Sequence, residues 1–206
     1  VIMRPLFQEV ILPNLCYIGG AGEMAYWFQL KAYFKKVKIP FPILLLRNSV
    51  QVISEKQQKK LDNLRISHAE LFAKQHALLS KKVTENSEIE VNFEEKMHYL
   101  KNEFSELKAI AKKTDVSFVN AVNAQERKQL KGLEYLQKRL LKAEKKRQKE
   151  LVDRIILLQN ELLPNQSLEE RQLNFSEYYI AYGPSFIQSL KEALKPLDLN
   201  FTILEL

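Results

Sequence analysis

Apolar residues recur every three or four positions through the middle of the chain, and this spacing predicts amphipathic helices. Three such stripes run over 61–79, 93–111 and 133–162. Between residues 43 and 163 there is no proline, and the single glycine is Gly132, as long helices require. The third stripe advances by about 3.6 residues per turn, so it suits a nearly straight helix.

Capping residues mark where these helices should end. Thr, Asn, Ser and Asp cluster at 84–87 and 114–117, and Pro164 follows the last stripe. If the segment leaves a core near residue 53 and returns near 164, residues 54–113 run outward and residues 116–163 run back. The sequence therefore predicts an antiparallel, two-layer helical arm.

The two flanks of the arm have a different pattern. Short apolar runs at 15–18, 43–46 and 201–204 are strand-like, and 23–37 is helical. The order strand, glycine turn, helix, strand is typical of half of a parallel α/β sheet. We expect an α/β fold, mostly helical overall, in which a partial parallel sheet is interrupted by the long helical arm.

This pattern divides the chain into three segments. Residues 1–52 would form part of the α/β core, residues 53–163 the helical arm, and residues 164–206 a segment that packs back on the core. The first residues carry neither an initiator methionine nor the zones of a signal peptide. We therefore expect a fragment of a longer protein.

Composition narrows the class of protein. The chain has 206 residues, is 46% hydrophobic, and lacks a run of the roughly 18 uncharged apolar residues that a membrane span needs. We expect no membrane partner. A single cysteine, Cys16, excludes an internal disulfide and fits a reducing compartment. The three histidines show no metal-ligand spacing, so we predict no metal site.

A glycine-rich turn is the first candidate binding site. Gly19, Gly20 and Gly22 lie between a predicted strand and a predicted helix, with Glu23 directly after them. Glycines there let the backbone approach a ligand, and the helix start presents free N–H groups to a phosphate or carboxylate. A tight turn without any ligand explains the same residues equally well.

Two arginines border strand-like runs, Arg4 before Pro5 and Arg47 before Asn48. A guanidinium at a sheet end can hold a carboxylate or phosphate through two hydrogen bonds. The competing interpretation is a structural ion pair with Glu9, Glu23 or Glu55, and it is the more common situation for a surface arginine.

The segment after the arm holds a second candidate. Arg171, Asn174 and Tyr178 are spaced to share a helix face, as are Tyr178 and Tyr182. Such a face would suit a purine or a sugar, or would dock the base of the arm on the sheet. The two interpretations carry equal weight.

The net charge of +7 has one source. Residues 127–150 contain ten basic and three acidic side chains, while the rest of the chain balances. A helix of this kind can follow a nucleic-acid backbone. The same residues carry a leucine stripe and no aromatic ladder for stacking, so a solvated helix face is the more common explanation and we do not expect nucleic acid.

With these segments identified, the chain resembles the carboxy-terminal half of the bacillithiol biosynthesis cysteine-adding enzymes, the cysteine ligase family. The resemblance covers essentially the whole chain, including the helical segment. It is carried by these stretches: Arg4-Pro5, Gln8-Glu9, Leu12-Pro13, Tyr17 to Glu23, Ala25 to Trp27, Gln29-Leu30, Phe41-Pro42, Arg47, Leu163 to Asn165, Leu168, Glu170-Arg171, Asn174, Tyr182 to Pro184 and Leu197-Asp198.

The resemblance implies a Rossmann-like core with a long α-helical coiled-coil domain that pairs two subunits into a homodimer. It implies addition of L-cysteine to glucosaminyl malate in the cytoplasm, as the last step in making bacillithiol. An adenine nucleotide, ATP or ADP, is the expected cofactor. The amino-terminal half of the family is missing, so we do not expect the fragment to be active alone.

Within this family interpretation, Glu23 and Arg4 are the candidate catalytic residues. Glu23 would hold an ammonium or hydroxyl group, and Arg4 and Arg47 a carboxylate or phosphate. The substrate- or nucleotide-binding candidates are Gly19, Gly20, Gly22, Arg47, Arg171, Asn174 and Tyr178. Two other functions stay open at this point: a basic helical arm that binds nucleic acid, and a purely structural dimerisation module.

Overall fold

The computed structural model describes residues 2–206. Its helices and strands are, in chain order, α1 Met3–Ile11, β1 Cys16–Gly19, α2 Ala21–Val37, β2 Ile43–Leu46, β3 Ser49–Ile53, α3 Glu55–Asn63, α4 His68–Leu71, α5 Gln75–Glu85, α6 Glu94–Ala111, α7 Val116–Arg147, α8 Lys149–Leu162, α9 Ser176–Tyr182, α10 Pro184–Ala193 and β4 Phe201–Glu205. Two short 3₁₀ turns, Pro164–Gln166 and Glu169–Arg171, lie between α8 and α9. The mostly helical α/β class is as the sequence predicts.

The chain forms two compact units. One, the α/β unit, joins the described residues up to Glu55 with Leu168–Leu206. The other, the helical unit, is Lys56–Ser167. The three-segment division drawn from the sequence stays a prediction about the domains of the protein.

The described strands of the α/β unit form two parallel pairs. In the first pair, β1 and β2 place Tyr17 opposite Leu44. In the second, β3 and β4 place Val52 opposite Leu204. The sequence predicts β1, β2 and β4 but not β3, because Gln51 interrupts the apolar run Val50–Ile53 and obscures its strand character.

Each strand pair of the α/β unit has its own apolar core. Trp27, Leu30 and Phe34 of α2 pack with Leu6 of α1, and Tyr17 and Leu44 pack against this cluster. Around the second pair, Val52, Leu204 and Phe186 are buried together.

The opposite face of the β1–β2 pair is open in this chain, where Ile18 is 63% and Ile43 is 70% exposed. Parallel strands are usually covered on both faces, so the exposure of these two isoleucines is unusual for a parallel pair.

Two sequence-based helix assignments need correction. The first apolar stripe is not one helix but three. Arg65 adopts a left-handed backbone conformation (φ 53°) before α4 begins at His68, and α4 ends at Leu71 before α5 begins at Gln75. Ser67 caps α4, since its Oγ accepts from the N–H of Glu70 and its N–H donates to the Glu70 carboxylate. The long helix expected over 116–163 is interrupted at Gln148, whose backbone leaves the helical region (φ −95°, ψ 36°).

The helices of the helical unit pack in the predicted antiparallel arrangement. Helix α6 packs against α7, and α5 packs against both α7 and α8. Contacts pair early residues with late ones: Lys60 Nζ lies 2.9 Å from Glu161 Oε2, and Ser87 Oγ lies 3.0 Å from Glu144 Oε2. Residues 54–113 therefore run against residues 116–163, as chain closure requires.

Candidate functional site

Arg4 lies on a helix, not at the end of a strand as its sequence context suggests. Pro5 is tolerated in α1 because the first turn of a helix leaves its N–H groups without helical partners. The helix places Arg4 and Gln8 one turn apart, and both line the same cavity. Glu9, a proposed ion-pair partner for Arg4, instead accepts two hydrogen bonds from Asn14 at 2.9 Å.

The glycine turn joins β1 to α2 and brings Glu23 back onto its own helix start. Glu23 Oε2 accepts a 2.7 Å hydrogen bond from the N–H of Gly20 and so caps α2. Gly19 is buried, and a Cβ there would lie 2.8 Å from Tyr17 Cε1 and 2.9 Å from Met24 Cε. Gly19 therefore serves close packing of the turn.

A cavity of about 310 Å³ lies between α1, β1 and the start of α2. It brings together the two candidate catalytic residues, Arg4 and Glu23, with Gly22. Gly19, Gly20 and Arg47 are not among its lining residues. The other lining residues lie in the stretches that carry the family resemblance but were not predicted as site residues: Pro5, Gln8, Tyr17, Tyr26 and Trp27.

The cavity carries groups of opposite charge on its two walls. Among residues 2–206, none forms an ion pair with the Arg4 guanidinium on α1, and Arg4 is exposed. On α2, Glu23 Oε1 accepts a long hydrogen bond of 3.4 Å from Tyr17 Oη, while Oε2 is used by the cap. Glu23 Oε1, with only this long bond, and the Arg4 guanidinium can thus both accommodate a ligand.

Arg47 lies beside the glycine turn but pairs with a different element. Its backbone N–H donates to Gly19 O at 2.9 Å, and its Nη2 lies 3.8 Å from Glu170 Oε1. The Arg47 guanidinium also passes next to Gly20, within 3.6 Å of where a Cβ would stand. The partner is an acid that was not among the three predicted, because Glu170 is distant in sequence.

Arg171, Asn174 and Tyr178 do not share a helix face, so this prediction is wrong. Arg171 ends a 3₁₀ turn, Asn174 lies in the following loop, and Tyr178 is on α9. Asn174 Oδ1 accepts from the N–H of Ser176 at 3.0 Å, and Tyr178 Oη donates to Glu169 Oε1. The Asn174 carbonyl oxygen and the Tyr178 hydroxyl are therefore bonded within the chain, while both residues, without Arg171, line one small cavity.

Glu169 is a buried acid that the sequence analysis did not select. Its Oε2 accepts from Gln51 Nε2 at 2.7 Å and from the N–H of Val52 at 3.2 Å. Burial raises the pKa of Glu169 to about 7, and the negative charge of Glu177 adds to the rise, against the hydrogen bond from Val52. Glu169 and Tyr178 also line a second cavity of about 170 Å³, which is largely apolar.

Glu169 and Glu170 together bind the free edge of β3. Glu170 accepts from the N–H of Val50 at 3.3 Å, and Glu169 accepts from the N–H of Val52, two residues further along the strand. The two carboxylates thus occupy backbone donors that a neighbouring strand would otherwise satisfy. An acidic pair in the loop after a long helix gives no local signal of this role.

Most of the basic side chains of residues 127–150 are exposed. Two of them also make contacts within the helical unit. Lys145 Nζ donates to Ser80 Oγ at 2.9 Å, and Arg147 Nη2 lies 3.0 Å from Glu144 Oε2. Burial lowers the pKa of Lys145. The other eight basic side chains of this segment are exposed to solvent.

Neither a metal cluster nor a membrane helix is found in the part of the chain that is described. Within residues 2–206, no three His, Cys, Asp or Glu side chains are placed to hold a metal ion. None of the described helices combines the length and apolar composition that crossing a bilayer demands.

Two family models account for almost the whole chain. Residues 1–48 match the bacillithiol biosynthesis BshC N-terminal Rossmann-like domain, and residues 50–206 match the bacillithiol biosynthesis BshC C-terminal coiled-coil domain. The chain belongs to the BshC family. The boundary between the two matches falls at β3, which the structure places in the α/β unit.

Curated BshC relatives are similar along the whole chain. A protein of Christiangramia forsetii named "Putative cysteine ligase BshC" is 54% identical over 99% of this chain and 38% of its own length. Proteins of the same name from Flavobacterium psychrophilum and Cytophaga hutchinsonii are 54% and 31% identical over 100% and 97% of this chain. The chain thus spans about two fifths of the length of these relatives.

Proposed function

We propose that the full-length protein joins L-cysteine to glucosaminyl malate, completing bacillithiol. Membership of the BshC family and relatives named as cysteine ligases support this proposal. The observation that carries it is the cavity between α1 and α2, where Arg4 and Glu23 present opposite charges to one small space. We place this activity in the cytoplasm, where a single free cysteine and a thiol product both suit reducing conditions.

The cavity residues can bind and orient the reacting groups. Joining cysteine to an amine forms an amide bond, so the enzyme must hold a carboxylate beside an amine. A guanidinium binds a carboxylate through two parallel hydrogen bonds, which suits Arg4. Glu23 Oε1, which accepts only the long bond from Tyr17, can also accept from an ammonium or hydroxyl group. Holding both partners in fixed geometry lowers the entropic cost of their reaction.

A carboxylate does not form an amide in water without activation, so we propose an adenine nucleotide as the cosubstrate. Tyr178 suits its site poorly, because the hydroxyl group already donates to Glu169, whereas Asn174 keeps its side-chain NH2 group for a ligand. Arg171 is exposed and stays a candidate for a phosphate contact. Gly20 and Gly22, at the start of α2, are the other candidates, since a helix N-terminus favours anions.

We further propose that the helical unit pairs two copies of the protein. The family name of this region, a coiled-coil domain, supports this. So do large apolar side chains left exposed on α6 and at the start of α7, among them Leu107, Ile110 and Phe118. Light scattering of the full-length protein should give a dimer that Ile110→Asp dissociates and Lys112→Asp does not. A monomeric wild type, or a dimer that Ile110→Asp leaves intact, would contradict this pairing.

The ligase proposal is tested by product formation in the full-length protein. With ATP, L-cysteine and glucosaminyl malate, mass spectrometry should detect bacillithiol. Glu23→Gln should abolish turnover, because an amide loses the charge that attracts an ammonium group, and Glu150→Gln on an exposed helix surface should not. Absence of product from the wild type, or normal turnover of Glu23→Gln, would count against the proposal.

A further inference from the structure

Gln8 is a polar side chain in the cavity that neither the sequence analysis nor the family match assigns. It lies on α1 one turn after Arg4, is half-buried, and lines the cavity with Arg4 and Glu23. No described residue bonds to its side-chain amide. Its amide nitrogen and oxygen still reach solvent within the cavity, so both are available to hydrogen-bond a ligand that enters there.

Arg4 and Gln8 together form one wall of donors. Residues four apart on a helix lie on the same face, so the guanidinium and the amide point to one side of α1. A carboxylate has two oxygens and accepts hydrogen bonds from both groups, whereas an ammonium can accept from neither. The α1 wall, with the positive charge of Arg4, therefore favours an anionic group such as a carboxylate.

The α2 wall suits a positively charged group and a sulfur atom. Glu23 keeps one oxygen for a ligand, and the rings of Tyr17, Tyr26 and Trp27 complete the lining. A carboxylate oxygen attracts an ammonium group, and aromatic rings make favourable contacts with a polarizable sulfur atom. The volume of about 310 Å³ is at the lower end of the roughly 300 to 1,000 Å³ of ligand pockets, which favours a small ligand.

From these walls we infer that the cavity is the L-cysteine site and that Gln8 determines its specificity for an α-carboxylate. Arg4 and Gln8 hold the carboxylate, Glu23 holds the ammonium, and the thiol lies against the aromatic rings. The inference rests on the proposed function for the identity of the amino acid. Glucosaminyl malate binds outside this cavity in the full-length protein, with its amine reaching the cysteine carboxylate at the cavity opening.

Two analogues that each lack one charged group test this assignment by calorimetry on the full-length protein under reducing conditions. Cysteamine lacks the carboxylate of cysteine, and 3-mercaptopropionate lacks the ammonium. The wild type should bind L-cysteine more tightly than either analogue. Gln8→Leu should weaken L-cysteine binding roughly 10-fold, as expected for loss of a hydrogen bond to a charged group, and leave cysteamine binding unchanged.

Two further variants guard against a simple folding defect. Gln8→Glu places a negative charge beside the carboxylate site, so it should weaken L-cysteine binding more than Gln8→Leu while cysteamine still binds. Gln29→Leu, on the exposed side of α2, should bind L-cysteine as the wild type does. All variants should melt within a few degrees of the wild type.

The result that overturns the inference is wild-type affinity of Gln8→Leu and Gln8→Glu for L-cysteine, or loss of affinity for glucosaminyl malate in its place. The failure of this inference can be distinguished from the failure of the proposed function. If the wild type makes bacillithiol but cysteine binding ignores Gln8, this inference fails and the function stands. If no product forms while cysteine binding needs Gln8, the function fails and the site stands.

Discussion

Gln51 Nε2 donates a 2.7 Å hydrogen bond to Glu169 Oε2, although 118 residues separate the two in the chain. Gln51 is fully buried in β3, and Glu169 is buried in the 3₁₀ turn that precedes α9. The bond therefore links the two separate segments of the chain that together form the α/β unit. The same packing buries the Glu169 carboxyl in a low-dielectric environment, so the stability of the unit should depend on pH.

The stability of the α/β unit should fall as the pH rises toward neutrality. Burial raises the pKa of Glu169 from 4.5 to about 7, so the folded state binds a proton that the unfolded state releases. The stabilising contribution is complete below pH 4.5 and is lost as the pH rises through 7. Urea unfolding at pH 5 and pH 8 should show a loss on the order of 2 kcal/mol in the wild type.

Glu169→Gln removes this dependence, since an amide does not titrate. Its free energy of unfolding should change little between pH 5 and pH 8, whereas the exposed Glu205→Gln should follow the wild type. A Glu169→Gln protein with the same pH profile as the wild type would show that this carboxyl is not the titrating group.

Glu70 should produce the opposite dependence in the helical unit. Lys81 Nζ, 2.7 Å from Glu70 Oε1, and then the N–H of Ser67 lower the pKa of this carboxyl to about 2. A lowered pKa gives stability that is present above about pH 4.5 and is lost as the pH falls toward 2. Glu70→Gln should cost roughly 1 to 2 kcal/mol at pH 7, allowing for solvent screening, and almost nothing at pH 2.

A matched exposed pair provides the control for Glu70. Glu90 lies 2.6 Å from Lys96 Nζ, but both side chains are more than half exposed. Ion pairs of this kind contribute about 0 to 1 kcal/mol, so Glu90→Gln should change unfolding much less than Glu70→Gln. Equal losses in the two variants would refute a special role for the Glu70 environment.

Replacing two of the glycines by alanine should change the free energy of unfolding in opposite directions. Gly183, before α10, has φ 63° and ψ −151°, a conformation that only glycine adopts readily, so Gly183→Ala should cost about 1 to 3 kcal/mol. Gly132 lies within α7 in open space, so Gly132→Ala should stabilise by about 0.5 to 1 kcal/mol. Denaturant unfolding of both variants measures the difference, and a neutral Gly183→Ala would show that the turn relaxes.

Replacing the two candidate arginines should reduce the turnover of the full-length protein to different extents. Arg4 lines the cavity, so Arg4→Ala should reduce kcat/KM roughly 10-fold to 100-fold through a lost charge-assisted hydrogen bond. Arg47 is half exposed and 3.8 Å from Glu170, so Arg47→Ala should change stability by at most about 1 kcal/mol and turnover less than Arg4→Ala. A larger kinetic loss for Arg47→Ala would reverse their assignment.

Much of the fold could be predicted from local pattern. The strand at Ile43–Leu46 and the helix Ala21–Val37 follow from an apolar run and a glycine turn, and α6 follows from its stripe. The break of the first stripe was not predictable from apolar spacing, because the spacing continues through Arg65. There a left-handed residue and a capping box override the periodicity.

The candidate site was predictable only in part. Arg4 and Glu23 were selected from residue type and neighbours, and the structure brings both to one cavity. Arg171, Asn174 and Tyr178 were grouped by helical spacing, which fails because the chain between them is not one helix. Gln8 gave no chemical signal, since a glutamine on an amphipathic helix is ordinary until its neighbours are known.

The sequence by itself determined the helical middle of the chain, its ends and the α/β character of the flanks, because caps and periodicity act between residues a few positions apart. The tertiary structure alone decided that β3 pairs with β4, that Gln51 meets Glu169, and that Arg4, Gln8 and Glu23 surround one cavity. These relationships join residues that burial and hydrogen bonding select in space, and no local pattern encodes the partner of a strand edge or of a buried carboxyl.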